Sequence, residues 1–374
     1  MATHFIRTEA IAAQPRPVAH TRLAQTVARS YFGSWTSGLL TIALVLLLGW
    51  GAWAFFEWSV LSAVFGHGDP KAALAACRAA AGHGACWPVV AEKGRLIVFG
   101  LYPYDQQWRP ALACVVLVLL YALSMWRGSW RPWLALVWLA AGTAVGVLMW
   151  GGVLGLTRVP DDQWGGLPVT LLLSTVGLCV GFPIGVALAL ARQARKAPAL
   201  RGFAVACIEL ARGIPLLTVL FMASVMVPLF LPAGVEVSKL LRVQVAIALF
   251  VGAYLAEVIR GGLHAVTQGQ HEAADAIGLG YTRKMALVIL PQALRHAVPG
   301  IVNTFISFFK ATSIVIVVGI FDLMTAAKRA VADPDWQGFG TEVYLFVGLV
   351  YFIFCFSMSR YSRSLEARAR DAQP

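Results

Sequence analysis

Eight long apolar runs constrain this 374-residue chain more than any other feature of its sequence. Each reaches roughly the 20 residues that an α-helix needs to cross the hydrocarbon core of a bilayer. Charged residues make up only 13% of the chain, about half the share that is usual in a soluble globular protein. Backbone groups in lipid must be satisfied within the protein, and runs this continuous lack the alternation of barrel strands. The sequence therefore predicts an all-α integral membrane protein with eight transmembrane helices.

The apolar runs divide the chain into three predicted parts. Residues 1–36 form a polar N-terminal segment, residues 37–160 hold three helices with a polar loop at about 57–108, and residues 161–374 hold five helices. A second polar loop, at about 261–297, follows the sixth run. The predicted spans lie at about 37–56, 110–126, 132–154, 167–190, 204–231, 243–260, 298–319 and 342–359.

The net charge of +12 is spread over short clusters of Lys and Arg beside the apolar runs. In membrane proteins the cytoplasmic loops carry the excess of these residues, and an N-terminus inside places the richer clusters inside. An even number of spans returns the basic C-terminus to the same side. We therefore expect both termini and the second polar loop to be cytoplasmic. Nucleic-acid binding is not expected, because the sequence has no basic tract with interleaved aromatic residues.

Two of the six cysteines, Cys77 and Cys86, lie in the first polar loop, whereas the other four lie in apolar runs. A thiol in an apolar run usually behaves as a small buried hydrophobe. If the loop faces an oxidising compartment, Cys77 and Cys86 can pair as a disulfide; in a reducing one they stay free. His83 adds too few ligands for zinc, so no metal site is predicted.

The segment from His271 to Ala293, HEAADAIGLGYTRKMALVILPQA, is polar although it lies between two apolar runs. A helix is predicted to begin near Glu272, because strong helix formers follow and acidic side chains favour the positive N-terminal end. Gly278 is expected to end this helix. Thr282 is then expected to cap a second helix, which Pro291 interrupts before the next span. The sequence thus predicts two short helices at the cytoplasmic face of the membrane.

The same segment resembles the EAA loop of ABC importer permeases. In that loop Glu-Ala-Ala is followed by three intervening residues and Gly, and then by nine intervening residues and Ile-x-Leu-Pro. Val288 stands where the loop usually has Ile. The residues that match are Glu272, Ala273, Ala274, Gly278, Leu290 and Pro291.

Three further stretches resemble motifs of the polar amino-acid permeases. ELARGIPLL (209–217) is similar to E-x-x-RGTPLL, GAYLAEVIRGG (252–262) to GAY-x-AE-x-x-RGG, and FFKATSIV (308–315) to K-D-T-S-L. Ile214 and Ala311 depart from these patterns. The N-terminal third, with FGSW, ACW and LYPYDQQWRP, is similar to the larger permeases of general L-amino-acid transporters. The chain is therefore identified as a member of the His/Glu/Gln/Arg/opine amino-acid permease family.

This resemblance implies a type I importer fold with a five-helix core and a permease subunit that moves L-amino acids across the bacterial cytoplasmic (inner) membrane. It implies that the helix at 271–280 docks on a cytoplasmic ATPase and couples its closure to the membrane helices. The implied partners are ABC ATPase subunits, a second permease subunit, with a heterodimer favoured, and a periplasmic amino-acid-binding protein. The ATPase would use ATP and Mg²⁺, so this chain is expected to bind no cofactor and to have no catalytic residue.

Ionisable and polar groups within apolar spans are costly in lipid, which makes them candidates for a substrate pathway. The candidates are Lys310, Thr312, Asn303, Glu257 and Glu209. For the two glutamates, ion pairing with the nearby Arg260 and Arg212 is an alternative, and interhelical hydrogen bonding is one for the amide and the hydroxyl. Ala311 replaces the family's acid or amide beside Lys310, which weakens the transfer of a ligand site to that position.

Other functions agree with parts of the sequence. A secondary, ion-gradient-driven amino-acid transporter would have inverted repeats and coupling-ion residues at the membrane midplane, but the two halves of the chain show no internal repeat. The order His271-Glu272-Ala-Ala-Asp275 is close to the HExxH zinc motif, but Asp replaces the second His. No G-x-x-x-x-G-K-[ST] phosphate loop occurs in the sequence, so an ATPase of that type must be a separate chain. A transport subunit rather than an enzyme is the favoured interpretation.

Overall fold

The secondary structure is helical throughout the part of the chain that the structure, a computed structural model, describes. Extended backbone pairs there only at two isolated β-bridges, so the all-α prediction is confirmed. Most of the predicted N-terminal segment lies outside the described residues. Contacts divide the chain into two units. The described residues are 30–66, 69–194, 196–232 and 234–371.

One unit is built on helix α1, Trp35–Phe56. It begins with a capping box, in which the Ser34 hydroxyl accepts from the Ser37 N–H and the Ser37 hydroxyl accepts from the Ser34 N–H, each at 3.2 Å. A π-helical turn, Glu57–Leu61, continues the helix. No residue of α1 is buried, and an apolar helix with no buried face is suited to lipid surroundings.

The second unit holds the remaining helices. Short π-helical turns at Met222–Met226 and Met285–Ile289 and a 3-10 helix at Thr312–Val318 lie between them. The helices are α2 (Pro70–Ala79), α3 (Pro88–Phe99), α4 (Trp108–Met125), α5 (Trp133–Trp150), α6 (Gly166–Arg192), α7 (Pro198–Gly213), α8 (Leu216–Phe221), α9 (Lys239–Ala265), α10 (Gln268–Ala276), α11 (Tyr281–Lys284), α12 (Leu290–Ala311), α13 (Leu323–Val331) and α14 (Gly340–Asp371).

Seven helical stretches of the described chain are long and apolar enough to cross a membrane, and a bent pair makes an eighth. The pair consists of α7 and the stretch Leu216–Phe230, which are inclined by 103°. The chain turns at Ile214, whose backbone is extended (φ −100°, ψ 136°), because Pro215 disfavours the helical conformation in the residue before it. With this pair counted as one span, all eight predicted spans are present.

The most extensive helix contact of the second unit joins α6 to α9. A Cβ atom added at Gly181 would lie 2.9 Å from the Ala248 carbonyl oxygen, and one added at Gly185 would lie 3.0 Å from the Gly252 carbonyl oxygen. Glycines therefore let the two backbones approach closely, which is how helices commonly associate where lipid supplies no hydrophobic driving force.

The first polar loop contains two helices, α2 and α3, which pack against α13 and the start of α14. Cys77 and Cys86 form a disulfide, with their Cα atoms 5.4 Å apart. The Cys86 N–H donates to the Glu342 carboxylate at 2.8 Å, and Lys93 Nζ lies 2.7 Å from a carboxylate oxygen of Asp333. These elements form a compact body that we call the α2–α3 cap.

Helix α10 differs from the predicted helix in its start. It begins at Gln268, directly after the extended residue Thr267, rather than near Glu272. Glu272 therefore lies in the middle of the helix and Asp275 in its last turn. The prediction that the helix begins near Glu272, with acidic side chains at its N-terminal end, is wrong. Asp275 instead pairs with Lys284 beyond the helix.

Pro291 does not interrupt the helix that precedes the seventh span. Helix α11 begins after Gly280 rather than after Thr282, and the stretch Tyr281–Val318 is continuous. Pro291 falls in the first turn of α12, directly after the π-helical turn. A missing N–H is tolerated in the first turn of a helix, so the proline starts α12 and leaves the stretch unbroken.

Candidate functional site

An exposed helical segment, residues 268–292, joins α9 to α12, and we call it the connector segment. Its first helix ends at a Schellman motif. The Gly278 N–H donates to the Asp275 carbonyl oxygen at 2.9 Å, and the Leu279 N–H donates to the Ala274 carbonyl oxygen at 3.1 Å. Gly278 has φ +76°, a left-handed conformation that glycine adopts without the steric cost of a Cβ atom. Gly278 thus ends α10, as the sequence predicts.

Two side-chain links hold α10 against the helical stretch that follows it. Lys284 Nζ donates to both carboxylate oxygens of Asp275, at 2.7 and 2.9 Å. The Gln292 amide donates to the side-chain oxygen of Gln270 at 3.0 Å. Because one link lies near each end of α10, the orientation of this helix relative to the start of α12 is fixed.

One face of the connector segment is buried and the other is exposed. Ala274 is only 2% exposed, whereas Glu272 and Ala273 are exposed. Leu290 is half-buried and Pro291 is exposed. The motif residues of α10 are therefore divided between its buried face and its exposed face.

Three large apolar side chains of the connector segment are also exposed. They are Ile277 (75% exposed), Tyr281 (62%) and Leu287 (69%). The sequence analysis did not single them out, since apolar residues at these positions are also compatible with a buried helix. Large exposed apolar residues within one short segment are compatible with a surface that another protein covers.

A cavity of about 630 Å³ lies among α7, α8, α9 and α12. Three aromatic rings form part of its wall: the Phe250 and Tyr254 centroids are 5.0 Å apart, and the Phe308 centroid lies 5.7 Å and 5.9 Å from them. The Arg212 guanidinium lies 5.9 Å from the Tyr254 ring centroid. Polar groups line the wall contributed by α12, namely Asn303, Thr304 and Ser307.

The two predicted glutamates take part in an ion-pair cluster between α6, α7 and α9. Arg192 lies 3.0 Å from Glu209 and 3.2 Å from Glu257, measured between Nη1 and the nearest carboxylate oxygen. Glu257 is also paired with Arg260 and lies 4.0 Å from Arg212. Neither glutamate lines the cavity, and Arg212 is the member of the cluster that does.

The other three predicted pathway residues lie on the seventh span. Asn303 lines the cavity. Lys310 lies in the last turn of α12 and is exposed, and Thr312 is buried, with its hydroxyl donating to the Phe309 carbonyl oxygen at 2.8 Å. Of the five predicted residues, only Asn303 faces the cavity. Arg212, Phe250 and Tyr254 were missed as cavity residues, although two of the quoted motifs contain Arg212 and Tyr254.

Among the described residues, no three His, Cys, Asp or Glu side chains are grouped so that they could hold a metal ion.

Residues 181–371 match the family model described as "Binding-protein-dependent transport system inner membrane component". The chain is 43% identical over 361 residues to the inner membrane amino-acid ABC transporter permease protein YhdY of Escherichia coli (strain K12), covering 95% of each chain. It is 35% identical to the glutamate/glutamine/aspartate/asparagine transport system permease protein BztC of Rhodobacter capsulatus, covering 98% of each.

Shorter proteins also match. The probable glutamine ABC transporter permease protein GlnP of Bacillus subtilis (strain 168) is 32% identical over 205 residues, which cover 55% of this chain and 92% of that protein. About half of the chain is therefore comparable to a whole shorter relative, and the full length is comparable to the two larger ones.

Proposed function

The chain belongs to the family of binding-protein-dependent transport system inner membrane components, and we propose from this premise that it carries L-amino acids into the cell as the permease subunit of an ATP-driven importer. The two larger relatives, which the chain matches over nearly their whole length, are named as amino-acid permeases. The multi-pass helical fold supplies the membrane-spanning part of such a transporter. A secondary transporter driven by an ion gradient is not favoured, because the family depends on binding proteins.

The membrane is proposed to be the bacterial cytoplasmic (inner) membrane, with both termini and the connector segment in the cytoplasm. The distribution of Lys and Arg supports this orientation. It places the α2–α3 cap outside, where an oxidising compartment favours the disulfide between Cys77 and Cys86.

The connector segment is proposed to dock on an ABC ATPase subunit. Its exposed residues, including Glu272, Ile277 and Tyr281, supply both charge and apolar area for that contact. ATP and Mg²⁺ would be bound by the ATPase, and this chain would bind no cofactor itself. A second permease subunit, different from this one, and a periplasmic amino-acid-binding protein would complete the transporter.

The observation that carries the proposal is the continuity of the stretch Tyr281–Val318. It begins beside α10, to which Asp275–Lys284 and Gln270–Gln292 fix it, and it carries Asn303 into the cavity wall. Tyr281 and Asn303 are about 33 Å apart along this helix. A displacement of the connector segment by the ATPase would therefore move one wall of the cavity.

The cavity is proposed to hold the amino acid during its passage. Arg212 would bind the carboxylate, because a guanidinium offers a planar pair of donors to it. The faces of Phe250, Tyr254 and Phe308 would attract the ammonium group by cation–π interaction. Asn303 and Ser307 would offer hydrogen bonds to the remainder of the molecule.

Uptake of a mixture of radiolabelled L-amino acids into vesicles that contain the assembled transporter tests this proposal. Loss of a charge-assisted hydrogen bond costs about 1.5–3 kcal/mol, so Arg212→Gln is expected to raise the KM for uptake by about 10- to 100-fold. The matched control is Arg201→Gln, which removes an exposed arginine of the same helix outside the cavity. Equal KM values in the two variants would contradict the carboxylate site, and no uptake of any L-amino acid by the wild type would contradict the function.

A further inference from the structure

A second cavity, of about 460 Å³, forms an apolar groove among α4, α5, α6, α12 and α14. Its wall includes Tyr121, Trp138, Leu178, Phe305 and Met358. The cavity volume lies within the range of small-molecule sites. The groove shares no lining residue with the cavity that contains Arg212, so the proposed transport pathway does not account for it.

The polar atoms in the wall of the groove are bonded within the protein. The Tyr121 hydroxyl is hydrogen-bonded to the Thr175 hydroxyl, and the Trp138 Nε1–H donates to the Ser124 hydroxyl at 3.0 Å. The Ser357 hydroxyl donates to the Ile353 carbonyl oxygen at 2.7 Å. A polar ligand would be desolvated in the groove without gaining these groups as partners, so the groove is suited to hydrocarbon.

One end of the groove lies where α4 ends and α5 begins. Met125, the last residue of α4, lines it, and the Trp130 Nε1–H of the connecting turn donates to the Ser124 carbonyl oxygen at 2.9 Å. The second half of α14 lines the same end through Met358 and Tyr361. Tryptophan and tyrosine side chains are enriched at the interface between hydrocarbon and headgroups, which places this end of the groove at a membrane surface.

Exposed arginines lie close in sequence to the residues at this end of the groove, although none of them lines it. Arg131 follows Trp130 in the connecting turn, and Arg360 and Arg363 flank Tyr361 in α14; all three side chains are exposed. Within the described residues none of the three forms an ion pair. Glu366, whose carboxylate accepts from the Ser362 hydroxyl at 3.4 Å, lies one turn beyond Arg363 and offsets only part of this charge.

We propose that the groove is a binding site for an anionic phospholipid, with one acyl chain between α4–α5 and the other helices of the groove and its phosphate at Arg131 and Arg360. The apolar wall accounts for the acyl chain, and Arg131 and Arg360, which form no ion pair within the described residues, account for an anionic rather than a zwitterionic headgroup. In the proposed orientation the site faces the cytoplasmic leaflet, where anionic lipids and juxtamembrane basic residues attract one another. The proposal depends on the membrane-spanning fold and not on the transported substrate.

The test is native mass spectrometry of the protein, purified in the complex it forms in the membrane, after addition of phosphatidylglycerol or phosphatidylcholine. Ala122 lines the groove, and Ala122→Trp fills it. Ala140→Trp is the matched control, because Ala140 is an exposed residue of α5 that does not line the groove. We expect the wild type and Ala140→Trp to retain one phosphatidylglycerol per chain, and Ala122→Trp to lose it.

A second set of variants tests the headgroup contact without changing the packing of the groove. Arg131→Gln and Arg360→Gln are each expected to weaken phosphatidylglycerol binding about fivefold, since a basic residue near the surface is worth about 1 kcal/mol. Arg363→Gln is expected to have no such effect, because two residues along a helix place Arg363 on the opposite face of α14 from Tyr361. Phosphatidylcholine binding is expected to stay unchanged. The controls remove exposed cations at the opposite ends of the same helices. They are Arg158→Gln, beyond the end of α5, and Lys328→Gln and Arg329→Gln, before the start of α14.

Equal retention of phosphatidylglycerol in Ala122→Trp and Ala140→Trp would overturn the proposal, as would equal retention of the two lipids by the wild type. A change of subunit stoichiometry in Ala122→Trp, with no change of bound lipid, would show that a protein partner occupies the groove and would equally overturn it. If Ala122→Trp fails to assemble, the arginine variants decide the question alone: unchanged phosphatidylglycerol binding in both Arg131→Gln and Arg360→Gln contradicts the site.

Discussion

Gly278 shows how one backbone angle shapes the proposed docking surface. Its φ of +76° lets the chain reverse directly after α10, and no atom would lie within 4 Å of an added Cβ atom. Glycine is therefore required here by the backbone conformation and not by steric crowding. Gly280, two residues later, has an ordinary φ of −61° and equally open surroundings.

Gly278→Ala is expected to impair ATP-dependent uptake, whereas Gly280→Ala is not. A left-handed conformation costs an L-residue about 1–2 kcal/mol, which weakens the Schellman motif and shifts α10. Uptake per assembled transporter in inverted or reconstituted vesicles measures the effect. Equal uptake by the two variants, at equal assembly, would show that the reversal at Gly278 does not matter for coupling.

Arg109 is a fully buried cation, 1% exposed, that no carboxylate balances within the described chain. Its Nε donates to the Leu148 carbonyl oxygen at 2.7 Å, and its Nη1 donates to the Thr157 carbonyl oxygen at 2.9 Å. Leu148 lies in the last turn of α5, where helix carbonyl groups lack partners in the helix and the dipole favours a cation. Arg109 therefore caps α5 from α4.

Arg109→Met is expected to lower the midpoint of thermal denaturation in detergent, because it removes the hydrogen bonds of a buried charged group, each worth about 1.5–3 kcal/mol. Arg158→Met, which removes an exposed arginine close in sequence, is the control and is expected to leave the midpoint unchanged. A midpoint for Arg109→Met equal to that of Arg158→Met would contradict the capping role.

Some glycines of the core allow two helices to approach closely, and others do not. The periodicity of the sequence does not distinguish the two kinds. Gly261 and Gly262 are adjacent in α9, but their surroundings differ. A Cβ atom at Gly262 would lie 2.3 Å from the Ala293 carbonyl oxygen of α12, whereas one at Gly261 would meet no atom within 4 Å. Only Gly262 is therefore required for the approach of α9 and α12.

Gly262→Ala is expected to force α12 away from α9 and to destabilise the protein by about 1–3 kcal/mol, as overpacking commonly does. Gly261→Ala is expected to be neutral or slightly stabilising, because alanine is the better helix former. Thermal denaturation of the two purified variants compares them directly. The contact argument would be contradicted by a Gly262→Ala midpoint at or above that of Gly261→Ala.

The membrane helices were predictable because continuous apolar runs have few other structures in lipid. Helices α2 and α3 were not predicted, because they lie in a polar loop. Their apolar residues, such as Val89 and Ile97, pack against α13 and α14 only in the folded chain. Pro291 was expected to interrupt a helix. It does not, because the π-helical turn before it places it in the first turn of α12.

The candidate sites divide in the same way. The connector segment was predictable because its motif residues lie within 20 residues of one another in the chain. The cavity was not, since Arg212, Tyr254 and Asn303 come from three helices whose packing sets their distances. The glutamates at 209 and 257 were predicted as pathway residues from their place in apolar spans, but their pairing with Arg192 depends on how α6 packs beside α7 and α9.

In the α2–α3 cap, α2 and α3 are joined to the last two helices, α13 and α14, through charge as well as packing. Lys93 hydrogen-bonds Asp333 and thereby lowers the pKa of that carboxyl from its usual value. An unfolded aspartate has a pKa of about 3.9. Because the folded pKa is lower, the stabilisation is fully present above about pH 4 and is lost as the pH falls through the folded pKa.

Asp333→Asn is therefore expected to lower the thermal midpoint at pH 7 by a small amount, since an ion pair near the surface contributes about 0.2–1 kcal/mol. The difference from the wild type is expected to shrink as the pH falls below about 4 and to vanish below the folded pKa, where Asp333 is uncharged like the asparagine. A double-mutant cycle with Lys93→Met measures the coupling. A difference that persists unchanged at the lowest pH would contradict the ion-pair explanation.

The central claim is that ATP hydrolysis by a separate subunit, acting through the connector segment, drives amino-acid movement through this chain. The most direct measurement is uptake of labelled L-amino acids by vesicles that hold the assembled transporter, its binding protein and no ion gradient, with and without ATP on the connector side. Accumulation that requires ATP and persists when ionophores remove every gradient is the predicted result. Accumulation without ATP that follows a proton or sodium gradient would contradict the account.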